Sequence, residues 1–187
     1  MKNRIMAAFI EEIQHNGMKF TMDDLAKRLG ISKRTLYEHF SAKVDILDAI
    51  IEQTFADMNE MTERIIQNES YSLIEKIRRV ITVLPNYWEF YDLRILDQMK
   101  RYYPKQWEKV DSLLKDDWAM LRTLIEQGIE EGEIVDMNVS LIMKLIIDAT
   151  NSTLDQRFYL DNQITVSEAL SSIVDLLLYG LIPENKR

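Results

Sequence analysis

The amino-acid sequence predicts an all-α fold of about nine helices. Three features point there. Apolar residues recur at spacings of three and four along most of the chain. Five glycines and three prolines leave few breaks in 187 residues. No segment shows the apolar-polar alternation of a half-buried strand.

Each helix can be placed from its stripe and its ends. Ile5, Phe9 and Ile13 form a stripe that stops at Asn16-Gly17, a C-terminal signal. Thr21-Met22-Asp23-Asp24 resembles a capping box, and its carboxylates suit the positive end of a helix dipole. Met22, Leu25, Ala26 and Leu29 then give the second helix its apolar side before Gly30 ends it. Ser32 is placed to cap a short third helix from Lys33 to Phe40, with Leu36 and Phe40 facing inward. Ser41 is expected to cap a fourth, whose stripe runs through Val44, Leu47, Ile51, Phe55 and Met58 toward Met61 and Ile65.

Downstream, Ser72-Leu73-Ile74-Glu75 reads as another capping box, Pro85 and Pro104 as helix breaks, and Gly128 with Gly132 as the close of a helix. The last two helices are expected to begin near Asn138 and at Thr165-Val166-Ser167-Glu168. Their ends fall between Asn151 and Leu160 and at Leu181-Ile182-Pro183 respectively. There are no internal repeats and no low-complexity tracts.

Composition narrows the chemistry. The absence of cysteine excludes disulfides, thiolate metal sites and thiol nucleophiles. Glu12 and His15 share a helix face as in di-iron bundles, but such sites need a second Glu-x-x-His and more carboxylates, and Leu36 stands three residues before His39. With two histidines and no phosphate-cradling glycine loop, no catalytic site, metal or cofactor is expected, and the chain is not read as an enzyme. Glu11 and Glu12 interrupt the N-terminal segment before a signal-peptide core forms, and no apolar run approaches the roughly 18 residues of a membrane span. A cytoplasmic protein without membrane contact is expected.

Charge is unevenly placed. The chain carries a net −8, yet up to Leu47 eight bases face six acids. Between Lys27 and Lys43 five bases face only Glu38, a local basic footprint on an acidic chain. This footprint coincides with two short helices joined by a glycine turn, the arrangement that major-groove reading requires. At about 100° per residue, Arg34, Tyr37 and Glu38 fall within an arc of roughly 100°, away from Leu36 and Phe40. Lys33 lies in the first turn of the same helix. Lys27 and Arg28 fit a solvated face as well as a DNA contact.

The run from Thr21 to Lys43, and Thr35-Leu36-Tyr37-Glu38-His39-Phe40-Ser41-Ala42-Lys43 within it, resembles the DNA-binding signature of tetracycline-repressor-type regulators. The resemblance implies an N-terminal helix-turn-helix domain over 1–47 and a helical effector-binding and dimerisation domain over 48–187. It implies that Lys33, Arg34 and Tyr37 approach base edges and the adjoining backbone. Thr35, His39 and Lys43 would contact phosphates, with Thr21 near the backbone and Gly30 permitting the turn. Taken alone, His39 reads as a partly buried structural residue; the motif assigns it to DNA. Arg34 stands where members often carry a small residue, and the arm before the first helix is very short.

In the middle of the chain, aromatics concentrate at Tyr87-Trp88-Glu89-Phe90-Tyr91 and at Tyr102, Tyr103, Trp107 and Trp118. Core packing explains most of them. The family resemblance implies a cavity among the middle helices, so Trp88, Tyr91, Tyr103 and Trp107 are candidates to line an effector pocket. The final helix bears an apolar arc too wide for one packing partner, including Leu170, Ile173 and Leu177, and the preceding helix adds Leu141, Leu145 and Ala149. A two-fold four-helix dimer interface accounts for both, and a fully buried central helix in a monomer is the other reading. The function expected is a ligand-responsive repressor that binds a pseudo-palindromic operator as a homodimer. The alternative is a helical protein-interaction module without DNA binding.

Overall fold

The computed structural model describes residues 1–116, 118–183 and 186. Among these are eleven α-helices, three short 3₁₀ turns and no strand. The chain forms two compact units, one of residues 1–57 with 85–113 and the other of 58–84 with 114–187. These units do not coincide with the segments 1–47 and 48–187 expected from the sequence, because residues 85–113 pack with the N-terminal helices. No helix among the described residues is long and apolar enough to cross a membrane.

The first unit contains α1 (Lys2–Asn16), α2 (Met22–Leu29), α3 (Lys33–Tyr37), the first part of α4 (Lys43–Gln67), α6 (Leu93–Tyr102) and most of α7 (Pro104–Asp116). Ile5, Phe9 and Ile13 of α1 are buried with Leu25, Leu36, Ile46, Leu47 and Ile50. Helix α1 ends at Gly17, whose φ of 67° and ψ of −168° suit a glycine almost alone. Arg4 donates to the Leu29 carbonyl at 2.9 Å, tying the start of α1 to the end of α2. Helix α3 stops at Tyr37, shorter than the expected reach to Phe40. Helix α4 begins at Lys43 instead of directly after Ser41, and the Ala42 N–H donates to the Asp45 carboxylate at 2.9 Å. Pro104 opens α7, where its missing N–H leaves no orphan donor.

The second unit is built on α5 (Leu73–Ile81), α8 (Ala119–Glu130), α9 (Val139–Asn151), the short α10 (Gln156–Asp161) and α11 (Val166–Leu181). Its core interleaves Ile77 and Ile81 of α5, Leu121 and Ile125 of α8, Ile142 and Ile146 of α9, and Val174 and Leu178 of α11. The expected capping box at Thr165 is complete, with Thr165 and Glu168 exchanging hydrogen bonds. At Ser72 only half of one forms: Ser72 accepts from the Glu75 N–H at 3.2 Å, while the Glu75 carboxylate pairs with Arg79. Gly128 does not end its helix. It lies inside α8, where an added Cβ would stand 2.7 Å from Ile134 Cδ1, and the helix closes before Gly132 at φ 67°.

Candidate nucleic-acid interface

Local chemistry dictates the α2-turn-α3 unit. Thr21 caps α2 through a closed box: its side chain accepts from the Asp24 N–H, and the Asp24 carboxylate accepts from the Thr21 N–H at 2.9 Å and hydroxyl at 2.7 Å. The donated bonds from Thr21 hold the Asp24 carboxyl below its usual pKa. At the other end, the Gly30 N–H donates to the Lys27 carbonyl and the Ile31 N–H to Ala26, both at 3.1 Å. This is the paired closure that a left-handed residue permits, and Gly30 has φ 64° and ψ 33°. Ser32 then caps α3, its hydroxyl accepting from the Thr35 N–H at 3.0 Å.

The faces of α3 divide as the sequence predicts. Leu36 is fully buried and Phe40 nearly so, whereas Lys33, Arg34, Tyr37 and Glu38 are exposed. The Arg34 side chain, 90% exposed, reaches Glu38 at 3.2 Å, and Lys33 pairs with Asp23 of α2. Exposed pairs of this kind contribute about 0–1 kcal/mol, so a polyanion can displace them at little cost. They hold both cations over the outer face of the motif.

The remaining bases behave differently. Arg28 is bound to α1 through Glu11 at 3.4 Å and the buried Glu12 at 3.3 Å, a structural tie. That tie and the His15 Nδ1 contact with the Glu11 carbonyl at 2.7 Å absorb the Glu-x-x-His pattern. Lys43 is turned inward. Its ammonium donates to the carbonyls of Met18 at 2.8 Å and Phe20 at 2.6 Å and lies 3.8 Å above the Phe20 ring. Burial pulls its pKa down to about 8, partly opposed by Asp24 and Glu12. Thr35 and His39 are half-buried, and the Thr35 hydroxyl lies 2.8 Å from that of Ser32. The geometry therefore gathers Lys33, Arg34 and Tyr37 on one face, keeps Thr21 exposed at the start of α2, and leaves Lys43 outside that group.

The four candidate pocket aromatics all fall in the first unit. Trp88, Tyr103 and Trp107 are half-buried, and Tyr91 is buried edge-on to Phe55 of α4 at 6.0 Å and to Phe90 at 5.4 Å. Its hydroxyl, whose pKa burial raises, is the buried side-chain polar atom without a hydrogen bond among the described residues. The nearby Thr54 hydroxyl donates to the Ile50 carbonyl at 2.8 Å. A groove of about 440 Å³ opens beside Asn3, Gln14, Asn86 and Tyr87, and none of the four aromatics lines it.

In the second unit, α9 exposes Leu141 and Leu145, with Ala149 half-buried one turn on. On α11, Ile173 and Leu177 are half-buried while Leu176, at 76%, and Tyr179 are among the most exposed apolar side chains described. Leu170 is 5% exposed and belongs to the protomer core, since it shares the inward register of Val166, Val174 and Leu178.

These features can be set beside known proteins. A profile of bacterial regulatory proteins of the tetR family matches residues 5–50, a span that contains most of α1, the helix-turn-helix and the start of α4. The HTH-type transcriptional regulator YvaF of Bacillus subtilis (strain 168) is 33% identical over 186 residues, covering 100% of this chain and 98% of that protein. The chain belongs to the tetR family. Among solved structures, the TetR family regulator PfmR of Thermus thermophilus superposes with a TM-score of 0.74 at 23% identity, covering 94% of this chain and 97% of that one. FadR of Bacillus subtilis, solved in complex with stearoyl-CoA, superposes with a TM-score of 0.69 at 22% identity, covering 96% and 99%. The protein is thus a helix-turn-helix transcriptional regulator that binds DNA, with the all-helical fold of its family. Sequence reasoning did not single out Leu176 and Tyr179, which stand exposed on the side of α11 away from buried Leu170 and Val174. It also missed Gln98 of α6, whose contact with Met18 spans 80 residues and leaves no local signal.

Proposed function

We propose that this tetR-family regulator is a ligand-responsive repressor acting as a C2 dimer on a pseudo-palindromic operator. The exposed face of α3 supports that reading most directly: Lys33, Arg34 and Tyr37 stand together over a fully buried Leu36, the cations held only by weak exposed pairs. Lys33 and Arg34 exchange Asp23 and Glu38 for phosphate and base edges, Tyr37 packs against the backbone, and Thr21 and Thr35 present hydroxyls to phosphates. His39 flanks the same surface.

Dimerisation through α9 and α11 is favoured by Leu141, Leu145, Leu176 and Tyr179, large apolar side chains left exposed on neighbouring helices of one unit. Ile173, Leu177 and Ala149 form the half-buried floor of that surface. Operator binding as a dimer requires its two α3 helices to enter successive major grooves about 34–36 Å apart. Repression follows by occlusion.

The effector site is placed among residues 88–107, with Trp88, Tyr91, Tyr103 and Trp107 as its aromatic candidates. The unpaired Tyr91 hydroxyl favours an effector with an apolar body and one hydrogen-bond acceptor. The fold neighbour solved with stearoyl-CoA makes acyl thioesters the first class to screen. An effector releases DNA only as far as it binds the non-operator spacing more tightly than the operator-bound one. The protein acts in the cytoplasm and has no catalytic role in this reading.

Fluorescence anisotropy against duplexes tiling the DNA upstream of the protein's own gene, with random duplex as control at several salt concentrations, tests the proposal. Tight, salt-sensitive binding to one tile is expected, weakened by the matching effector. Absence of binding to any duplex at low salt would overturn it in favour of a protein-interaction module.

A further inference from the structure

The turn Gly17–Lys19, which leads directly into the Thr21 cap of α2, is gripped from two sides. From α6, the Gln98 Oε1 accepts the Met18 N–H at 2.8 Å. From α4, the Lys43 ammonium takes the Met18 carbonyl at 2.8 Å and the Phe20 carbonyl at 2.6 Å. Met18 is itself buried, so neither of its backbone groups has ready access to water as a substitute. Two ring contacts reinforce the grip: Lys43 lies over Phe20, which packs edge-on against Phe9 of α1 at 5.1 Å, and Lys19 lies 5.8 Å from the Tyr102 ring at the end of α6. Gly17 fits the same assembly closely, for a Cβ there would come within 2.5 Å of Gln98 Oε1.

We infer that Gln98 and Lys43 are positioning residues for operator binding: by holding the Met18 N–H from α6 and the Met18 carbonyl from α4, they fix the turn from which α2 and α3 are presented. This rests on the DNA-binding reading above. Lys43 is committed to carbonyls rather than to phosphate, so its contribution to affinity comes through geometry. The clamp also gives α6, which follows the aromatic segment 88–91, a direct hold on the start of the helix-turn-helix.

The clamp separates from a phosphate contact by salt dependence, because each phosphate neutralised adds about 0.9 to the slope of log K against log salt. Gln98→Leu keeps the bulk and removes the acceptor. It is expected to weaken operator binding about tenfold, the scale of one buried donor left unpaired, with the slope and the random-duplex affinity unchanged. Gln98→Glu retains an acceptor for the Met18 N–H and should stay within about threefold of wild type. Lys43→Met should likewise weaken operator binding while leaving the slope intact. Wild-type affinity in a folded Gln98→Leu, or a slope reduced by about one in Lys43→Met, would overturn the inference. Hydrogen exchange at the Met18 amide, followed on the full-length protein without DNA, reads the clamp independently, with Gln98→Leu expected to speed it and Gln98→Glu to leave it slow. Unchanged exchange in Gln98→Leu overturns the clamp even if the wild type binds no duplex. Faster exchange in a protein that binds no duplex overturns the positioning role for DNA while leaving the clamp itself in place.

Discussion

The outer face of α3 and the outer face of α9 with α11 are both surfaces that a protomer's own packing leaves uncovered, yet they are built from opposite chemistry. On α3 and at its C-cap the exposed side chains are Lys33, Arg34, Tyr37 and Glu38, and the charged ones find partners within a few residues or on α2. On α9 and α11 they include Leu141, Leu145, Leu176 and Tyr179. An exposed cation in a weak ion pair loses little by exchanging its carboxylate for a phosphate. An exposed leucine gains only when water is driven off by another apolar surface. One face therefore suits a polyanion and the other a second copy of the chain. The inward faces of both regions obey one rule, burial of an i, i+3, i+4 stripe.

Substitutions can break this comparison at its strongest point first. Leu36→Ala removes a fully buried side chain from beneath the recognition face, and a stability loss of about 2–5 kcal/mol is expected in urea unfolding. If the loss is no larger than that for a surface leucine, α3 is not anchored as described. Leu176→Glu should leave the protomer folded but weaken the proposed dimer by about 1.5–3 kcal/mol, the value of one leucine's burial. Sedimentation at falling concentration would show it as an earlier onset of monomer, and an unchanged dimer would move the interface elsewhere. Ser32→Ala removes the α3 cap and should cost about 1 kcal/mol, a loss that thermal melting resolves.

A pH dependence is expected as well. With its pKa lowered by burial to about 8, Lys43 releases its proton in the folded protein well before it does in the unfolded chain, near pH 10.4. Across that window the unfolded state binds more protons, so this group's contribution to stability rises with pH and is lost as pH falls through 8. Lys43→Met should abolish that rise when stability is measured from about pH 7.5 to 10. A rise that persists in the variant would place the titration on another group.

What the sequence disclosed follows the range of the interactions involved. Caps at Thr21 and Thr165, the left-handed Gly30 and the buried Leu36 are decided within four or five residues, and each stands where its pattern puts it. Sequence patterns fail where a side chain has to choose among distant partners. Glu75 prefers Arg79 to the Ser72 backbone, Gly128 makes room for Ile134, and Lys43 turns toward carbonyls some 25 residues earlier. On α11 the apolar arc is too wide for one partner, but its periodicity does not distinguish buried Leu170 from half-buried Ile173 and Leu177 within it. The 85–113 segment shows the same limit: aromatic content marks it, while its packing with the N-terminal helices depends on contacts such as Gln98 with Met18.

The claim that the α3 face reads DNA is tested most directly by titrating wild-type protein and Arg34→Ala against the operator and a random duplex of equal length. The account predicts a loss of about 1–3 kcal/mol on the operator with little change on random DNA. Equal losses on both duplexes would show that Arg34 supplies charge alone, and would contradict the assignment of base reading to this face.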